Sequence, residues 1–428
     1  MVWLPHWPRV GAELQIKLGL ERITEFLKAL GSPHLKLPPT IHVAGTNGKG
    51  STIAFMRSIA EEAGLKVHRY ISPHLIRFNE RILLAGQEIS DDHLFSLLEE
   101  CRITSERTGL NVSFFEGVTA AAFLAFSRTP ADLLLLEVGL GGRLDATNVI
   151  DQPLACVITP ISYDHEAFLG STLSQIAYEK AGIIKPHRPC IVSLQTEEAR
   201  TVIENHAAQV QATLIQYEYD FGASLTKTGE LEYKSTKRTL TTPAPSLSGY
   251  HQYINAATAI ATLDQCYSFS DDTIRSAITK AHWPGRLTRI ESSKYLSSLL
   301  KNSELWVDGA HNEAGGQALA SWLADQPKMP TFLIFGMTKN RDINKFLRHF
   351  KDLLTQIICV NIYSEPLSYK GEQIPALITD PDLKAIAIPA TTLDEAFDYI
   401  TKSASQTQKI RILIAGSLFL ASDFFINR

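Results

Sequence analysis

Apolar residues first recur at helical spacing at Leu20, Ile23, Leu27 and Leu30, with Gly31 placed to stop the helix. A short apolar strand follows, Ile41-His42-Val43-Ala44, and runs into a glycine-rich turn. The helix after the turn carries Ile53, Met56, Ile59, Ala60 and Ala63 on one face and ends at Gly64. Strand, glycine turn and helix in that order make the first half of a βαβ unit. The alternation predicts further strands at 67–72, 132–138, 154–160 and 190–194, separated by helices near 92–108, 119–127 and 173–182. Strands this uniformly apolar suit a parallel sheet covered on both faces. From about 214 to 242 the pattern changes to Tyr/Thr/Lys alternation with Gly222 and Gly229, which predicts β-hairpins, then a loop at 241–245 and a helix over 253–265.

Trp283-Pro284-Gly285-Arg286 punctuates the chain. Beyond it, strands are expected at 305–308, 331–335, 356–361, 385–388 and 411–415, and helices near 315–324, 343–354 and 393–404. The expected fold is α/β throughout: an N-terminal, P-loop-type doubly wound domain over 1–283, a linker at 284–290, and a C-terminal Rossmann-like domain over 291–428. A length of 428 residues agrees with two to three domains, at about 100–200 residues each.

Charge and cysteines narrow the setting. Lys+Arg 41 against Asp+Glu 45 argues against a surface built for nucleic acid, while leaving room for a local basic pocket for one phosphate-bearing ligand. Cys101, Cys156, Cys190, Cys266 and Cys359 show neither paired nor zinc-type spacing and read as thiols of a reducing compartment. Residues 1–10 lack a basic stretch followed by an apolar one, and the densest apolar run, Leu133 to Leu136, is stopped by Glu137. The expectation is a soluble cytoplasmic protein without membrane partners.

Gly45-Thr46-Asn47-Gly48-Lys49-Gly50-Ser51-Thr52 carries the strongest chemical signal, lying between a strand and a helix. Glycines let backbone N–H groups close around phosphate oxygens, the helix N-terminus adds positive potential, and a lysine reaches the terminal phosphates. The strict P-loop spacing fails: Val43 stands at the first glycine position, and the hydroxyl comes one residue late, at Ser51. Glu137, before Val138-Gly139-Leu140-Gly141-Gly142-Arg143-Leu144-Asp145, sits at the carboxyl end of a strand, where doubly wound sheets bind ligands and where Mg²⁺ would find an oxygen ligand. His165, in Tyr163-Asp164-His165, follows another strand end and reads either as a ligand or as an ordinary loop residue. Glu179 and Lys180, taken alone, read as a solvated helix face. Asp308 and His311, on a strand-to-helix turn, either cap the helix or hold nucleotide or substrate, and Arg286 is either a γ-phosphate clamp or a surface ion-pair residue.

With these segments in their order, the chain resembles the folylpolyglutamate synthase/dihydrofolate synthase family of the Mur ligase superfamily. The likeness runs through His42 to Ser51, Ser72-Pro73-His74-Leu75, Asn79-Glu80-Arg81-Ile82, Glu137 to Asn148, Asp164-His165 and Glu179 to Lys185. It continues through Gly249-Tyr250-His251-Gln252, Asn255-Ala256, Pro284-Gly285-Arg286, Asp308 to Asn312 and Gly416-Ser417-Leu418. The resemblance implies a Mur-ligase-like central domain and an ATP-dependent amide ligase. ATP phosphorylates a carboxylate, and the amine of L-glutamate then displaces phosphate.

It implies that Gly45, Thr46, Asn47, Gly48, Lys49, Gly50, Ser51, Thr52, Asn255, Arg286 and Asp308 bind ATP, and that Ser51, Ser72, Glu137, His165 and carbamylated Lys180 hold Mg²⁺, two ions in all. Lys49, Lys180, Arg286 and His165 are the implied catalytic set. Arg81, His311 and Ser417 face glutamate or its carboxylates, and Phe115 and Asp145 lie towards the pterin. The implied partners are ATP, L-glutamate, dihydropteroate and reduced folates, with a monovalent cation such as K⁺, in a monomer.

Two departures stand out: Asn340 and Arg341 where the family usually has Asp-Lys, and a longer stretch between Arg286 and Asp308, expected as an extended hairpin or loop. The alternatives kept are a polyglutamylase without the first ligation, a catalytically silent nucleotide-binding relative, and a peptidoglycan Mur ligase. The last is disfavoured because little more than one helix precedes Gly45 where a UDP-binding domain would stand.

Overall fold

The computed structural model describes residues 6–8, 19–299, 303–403 and 408–427. The chain divides into two compact units, one of Met1–Ser246 with Gln252–His282 and the other of Leu247–His251 with Trp283–Arg428.

The first unit is built on an eight-stranded sheet: β1 (Thr40–Ala44), β2 (Val67–Tyr70), β3 (Ile82–Leu84), β4 (Gln87–Glu88), β5 (Leu133–Glu137), β6 (Ala155–Ile158), β7 (Pro189–Val192) and β8 (Thr213–Gln216). Their spatial order is β4-β3-β2-β5-β1-β6-β7-β8. Pairing is parallel from β2 to β8, and the edge strands β3 and β4 run antiparallel. All residues of β1 and β5 are buried, because helices cover both faces and leave no polar side to alternate towards. The strand order reverses at β1, so the carboxyl ends of β5, β1 and β6 bound the crevice where such sheets take ligands.

On one face lies the core of helix Phe114–Arg128, a helix opened by a capping box in which Ser113 and Glu116 satisfy each other's backbone N–H groups. A three-stranded antiparallel sheet follows: β9 (Phe221–Leu225), β10 (Leu231–Ser235) and β11 (Thr239–Thr242). The hairpins expected over 214–242 are therefore these three strands only. Thr213–Gln216 instead completes the parallel sheet against β7, a difference that alternation in a partly exposed edge strand hides.

The second unit holds β12 (Thr288–Arg289), β13 (Glu304–Val307), β14 (Thr331–Phe335), β15 (Gln356–Cys359), β16 (Ala387–Pro389) and β17 (Arg411–Ala415), in the order β12-β13-β17-β14-β15-β16. β12 pairs antiparallel with β13 and the rest are parallel. Within the lengthened stretch before Asp308, the described residues include an antiparallel strand pair, as expected of a hairpin. Thr288–Arg289, expected within a linker, is one of its strands.

The helix expected over 343–354 stops at Leu347 and tightens into a 3-10 turn, Arg348–Phe350, with Phe346 and Phe350 both buried. The strand expected at 385–388 shifts to Ala387–Pro389 because Asp380 caps a short helix, Pro381–Ala385, ahead of it. The expected helix 393–404 is found as Leu393–Ser403; position 404 lies outside the described residues. Among the described residues no helix is long and apolar enough to cross a membrane.

Candidate active site

The glycine turn after β1 admits no side chain at two positions. A Cβ on Gly45 would lie 1.8 Å from Thr159 Oγ1, and one on Gly48 would lie 2.5 Å from Asn255 Oδ1. Both glycines have positive φ, 145° and 87°. Backbone bonds tie the turn to the end of β6: Thr46 N and Asn47 N donate to Pro160 O at 3.0 and 3.2 Å, and Thr46 Oγ1 donates to Ser162 O at 3.1 Å. Helix Lys49–Glu62 starts at once, and Thr52 N is the donor to Gly48 O. The N–H groups of positions 49–51 therefore precede the helix ladder, in the geometry that receives phosphate. Ser51 and Thr52 are buried behind them, and Thr52 Oγ1 has no hydrogen-bond partner among the described residues.

Three charged side chains converge on this turn. Lys49 Nζ donates to Gly45 O at 3.2 Å and Thr46 O at 3.3 Å, and stands 3.9 Å from Glu137 Oε1. Glu137 ends β5 directly beside Val43 of β1, and its Oε2 accepts Ser72 N at 3.1 Å. Lys180 does not lie on a solvated helix face. It is 4% exposed, and its Nζ donates to Gly45 O at 2.9 Å. Burial, with the charge of Lys49 adding to it, pulls the Lys180 ammonium down to about 7 from its usual range. Its neighbour Glu179 binds Arg143 at 2.8 Å.

His165 has a positive φ of 53°, heads the short helix Glu166–Leu169 and lies 3.7 Å from Asp164 Oδ1. Of the expected metal ligands, the structure links Ser72 to Glu137 through the Ser72 backbone N–H, and the carboxylate is the oxygen donor a hard cation such as Mg²⁺ prefers. Among the described residues no three His, Cys, Asp or Glu side chains gather to cage a metal.

Phe115 and Asp145 meet through one loop. A Cβ on Gly139 would lie 2.3 Å from the Phe115 ring, while Asp145 Oδ2 accepts the next N–H, that of Leu140, at 2.9 Å. Asp145 Oδ1 accepts Thr147 N and Oγ1, and burial raises its carboxyl against these bonds. Arg81 is buried at the end of the 3-10 turn Phe78–Arg81.

In the second unit, Asp308 uses both oxygens on backbone, accepting Leu287 N and Ala310 N at 2.7 Å each. Gly309 N donates to Gly285 O at 2.8 Å, so Arg286 is held against the turn. His311 Nδ1 bonds Gly309 O at 2.9 Å, and Ser417 Oγ accepts Phe419 N at 3.1 Å at the start of helix Leu418–Asn427. Arg286, Asp308, His311 and Ser417 thus lie on the loops that follow the carboxyl ends of the adjacent strands β13 and β17 and on the segment bonded to them.

Reading the sequence missed Thr159, Pro160 and Ser162, which seat the turn, and Glu80, whose carboxylate accepts Leu75 N, Ile76 N and Arg77 N. The signal for the first was present in the Thr159-Pro160 strand end; the second stood in the Asn79-Glu80-Arg81-Ile82 segment with no role assigned to it.

Residues 43–263 match the Mur ligase middle domain, and residues 291–426 match the C-terminal domain of dihydrofolate synthetase. The chain is 33% identical over 437 residues to the Bacillus subtilis dihydrofolate synthase/folylpolyglutamate synthase, covering 97% of this chain and 96% of that one. The chain belongs to the dihydrofolate synthase/folylpolyglutamate synthase family. The family is one of ATP-dependent ligases.

Two solved structures of its members superimpose over nearly the whole length. Escherichia coli FolC in complex with DHPP and ADP does so with TM-score 0.85 and 30% identity, covering 97% of this chain and 94% of that one. A bifunctional folylpolyglutamate synthase/dihydrofolate synthase with Mn, AMPPNP and L-glutamate bound does so with TM-score 0.84 and 28% identity, covering 97% and 95%.

Proposed function

We propose that this chain joins L-glutamate to dihydropteroate and to the terminal glutamate of reduced folates, one ATP being consumed for each amide made. The observation that carries the reading is the convergence of Lys49, Lys180 and Glu137 on the Gly45 turn. An oxygen of the acceptor carboxylate attacks the γ-phosphorus of ATP, ADP leaves, and an acyl phosphate forms. The amine of L-glutamate then attacks the acyl carbon and loses a proton, phosphate leaves, and the amide remains.

Positions 48–51 hold the phosphates by backbone N–H, and Lys49 balances the charge that develops on the transferring group. Gly45, Thr46, Asn47 and Thr52 complete the ATP-binding set around that contact. Asn255, Arg286 and Asp308 hold the nucleotide; His311, Ser417 and Arg81 hold carboxylates; Phe115 and the loop fixed by Asp145 receive the pterin. Bound at Ser51, Ser72, Glu137, His165 and carbamylated Lys180, two Mg²⁺ ions supply charge neutralisation and alignment of phosphate oxygens. On this reading the protein works as a cytoplasmic monomer, with a monovalent cation such as K⁺ as an accessory.

Phosphate release from Mg-ATP is expected to require both an acceptor and L-glutamate. Release that proceeds equally well with either one omitted would leave only a nucleotide-binding relative. Carbamylation of Lys180 has its own signature. A neutral amine adds CO₂ and gives up one proton, so the carbamate should grow as pH rises through about 7 and fade below it. With ¹³C-bicarbonate, NMR should show a protein-bound carbamate carbon that is absent from Lys180→Met. The same spectrum from both proteins would remove this modification from the site.

A further inference from the structure

We propose that His74 is a positioning residue that presents Arg81 as a receptor for a substrate carboxylate. The inference rests on the ligase reading for the identity of the carboxylates. Arg81 is 9% exposed, with its guanidinium 5.0 Å from the centre of the Phe78 ring and 6.0 Å from that of Phe114. Its Nε donates to His74 Nδ1 at 3.0 Å. Among the described residues no carboxylate ion-pairs with it. Glu80, its neighbour in sequence, is occupied by the three N–H groups of residues 75–77, and Glu137 lies between Ser72 N and Lys49.

A buried cation without a directly paired carboxylate is costly, and burial holds this guanidinium below its usual range, with Glu137 and Glu80 offsetting it only from a distance. A group kept in that state is suited to an anion that arrives from outside. The segment starts at Ser72, whose N–H binds Glu137, the carboxylate that faces Lys49 of the phosphate turn.

Guanidinium offers two edges for a bidentate carboxylate, Nε with one Nη, or Nη1 with Nη2. The bond to His74 takes the first edge and leaves the second. A carboxylate in place of His74 would make the same bond but cancel the charge. Imidazole orients without cancelling. Phe78 holds the His74 ring edge-on at 5.5 Å, with Nδ1 turned to accept the Arg81 Nε–H. The reaction offers carboxylates from two sources, the pterin-bearing acceptor and free L-glutamate, and the experiment separates them.

Native protein, Arg81→Ala, His74→Gln, His74→Leu and His74→Glu are compared for KM and equilibrium Kd towards tetrahydrofolate and L-glutamate, for KM towards ATP, and by thermal melting. Arg81→Ala is expected to weaken one of the two carboxylate ligands by about tenfold or more, the worth of a charge-assisted hydrogen bond. His74→Leu should weaken the same ligand several-fold. His74→Glu should weaken it at least as much as His74→Leu without losing thermal stability, and His74→Gln should restore most of the affinity, with KM for ATP unmoved throughout. The ligand affected names the source. Native-like affinity in His74→Glu, or an equal loss for ATP and both carboxylates in every His74 variant, overturns the proposal. If native protein ligates nothing, the ligase reading fails by itself, and the Kd pattern across the same variants still decides the role of His74.

Discussion

Lys49→Ala is expected to lower kcat by about 10²–10³-fold, the usual cost of removing one preorganised donor from a developing anion. Lys49 Nζ is held by Gly45 O and Thr46 O at 3.2 and 3.3 Å and faces Glu137 at 3.9 Å, so its charge is aimed before ATP arrives. ATP already carries negative charge in its ground state, and the loss should therefore fall on KM for ATP as well as on kcat. Folding should survive, because the backbone bonds to Pro160 still tie the turn down when the two ammonium bonds to Gly45 O and Thr46 O are lost. Steady-state kinetics beside a thermal melt checks this. Near-native turnover in a folded variant would take the turn out of the mechanism.

Glu137→Gln is the second large effect. The substitution keeps volume, and an amide oxygen can still accept Ser72 N, so the strand end should stay in place. What disappears is the anionic oxygen that a hard divalent cation prefers. Loss of an outer-shell partner of a metal typically costs about 10–100-fold in affinity or activity, and loss of a direct ligand is expected to cost no less. Activity should fall by at least that factor at ordinary Mg²⁺ and recover in part as Mg²⁺ is raised. An Mg²⁺ titration indistinguishable from that of native protein would contradict the assignment of Glu137.

Much of the fold was legible because its strands are buried on both faces. Leu133 to Leu136 and Ile41 to Ala44 contain almost no polar position, and that alone points to a covered parallel sheet. Thr213–Gln216 was not legible, since a partly exposed edge strand alternates as a hairpin strand does. Helix Leu418–Asn427 was also missed. Its Leu, Phe, Ala and Ile residues are too uniformly apolar to show a face, and the N-cap Ser417, whose hydroxyl accepts Phe419 N, was not read as a helix start.

At the site, glycine spacing marked the phosphate turn. Lys180 could not be read from its own neighbourhood, because its burial against Gly45 O joins residues 135 positions apart. Only the family resemblance singled it out. Arg81 and His74 show the same limit. Each was visible in its motif, but the hydrogen bond between them belongs to the folded chain.

The most direct test of the account is the identity of the products. Native protein is incubated with Mg-ATP, L-glutamate and either dihydropteroate or tetrahydrofolate, and the pterin products are weighed by mass spectrometry. The account predicts that dihydropteroate gains one glutamyl unit and that tetrahydrofolate gains at least one. Extension of tetrahydrofolate alone, with dihydropteroate untouched at saturation, would contradict the double activity, and no glutamyl product from either acceptor would contradict the ligase itself.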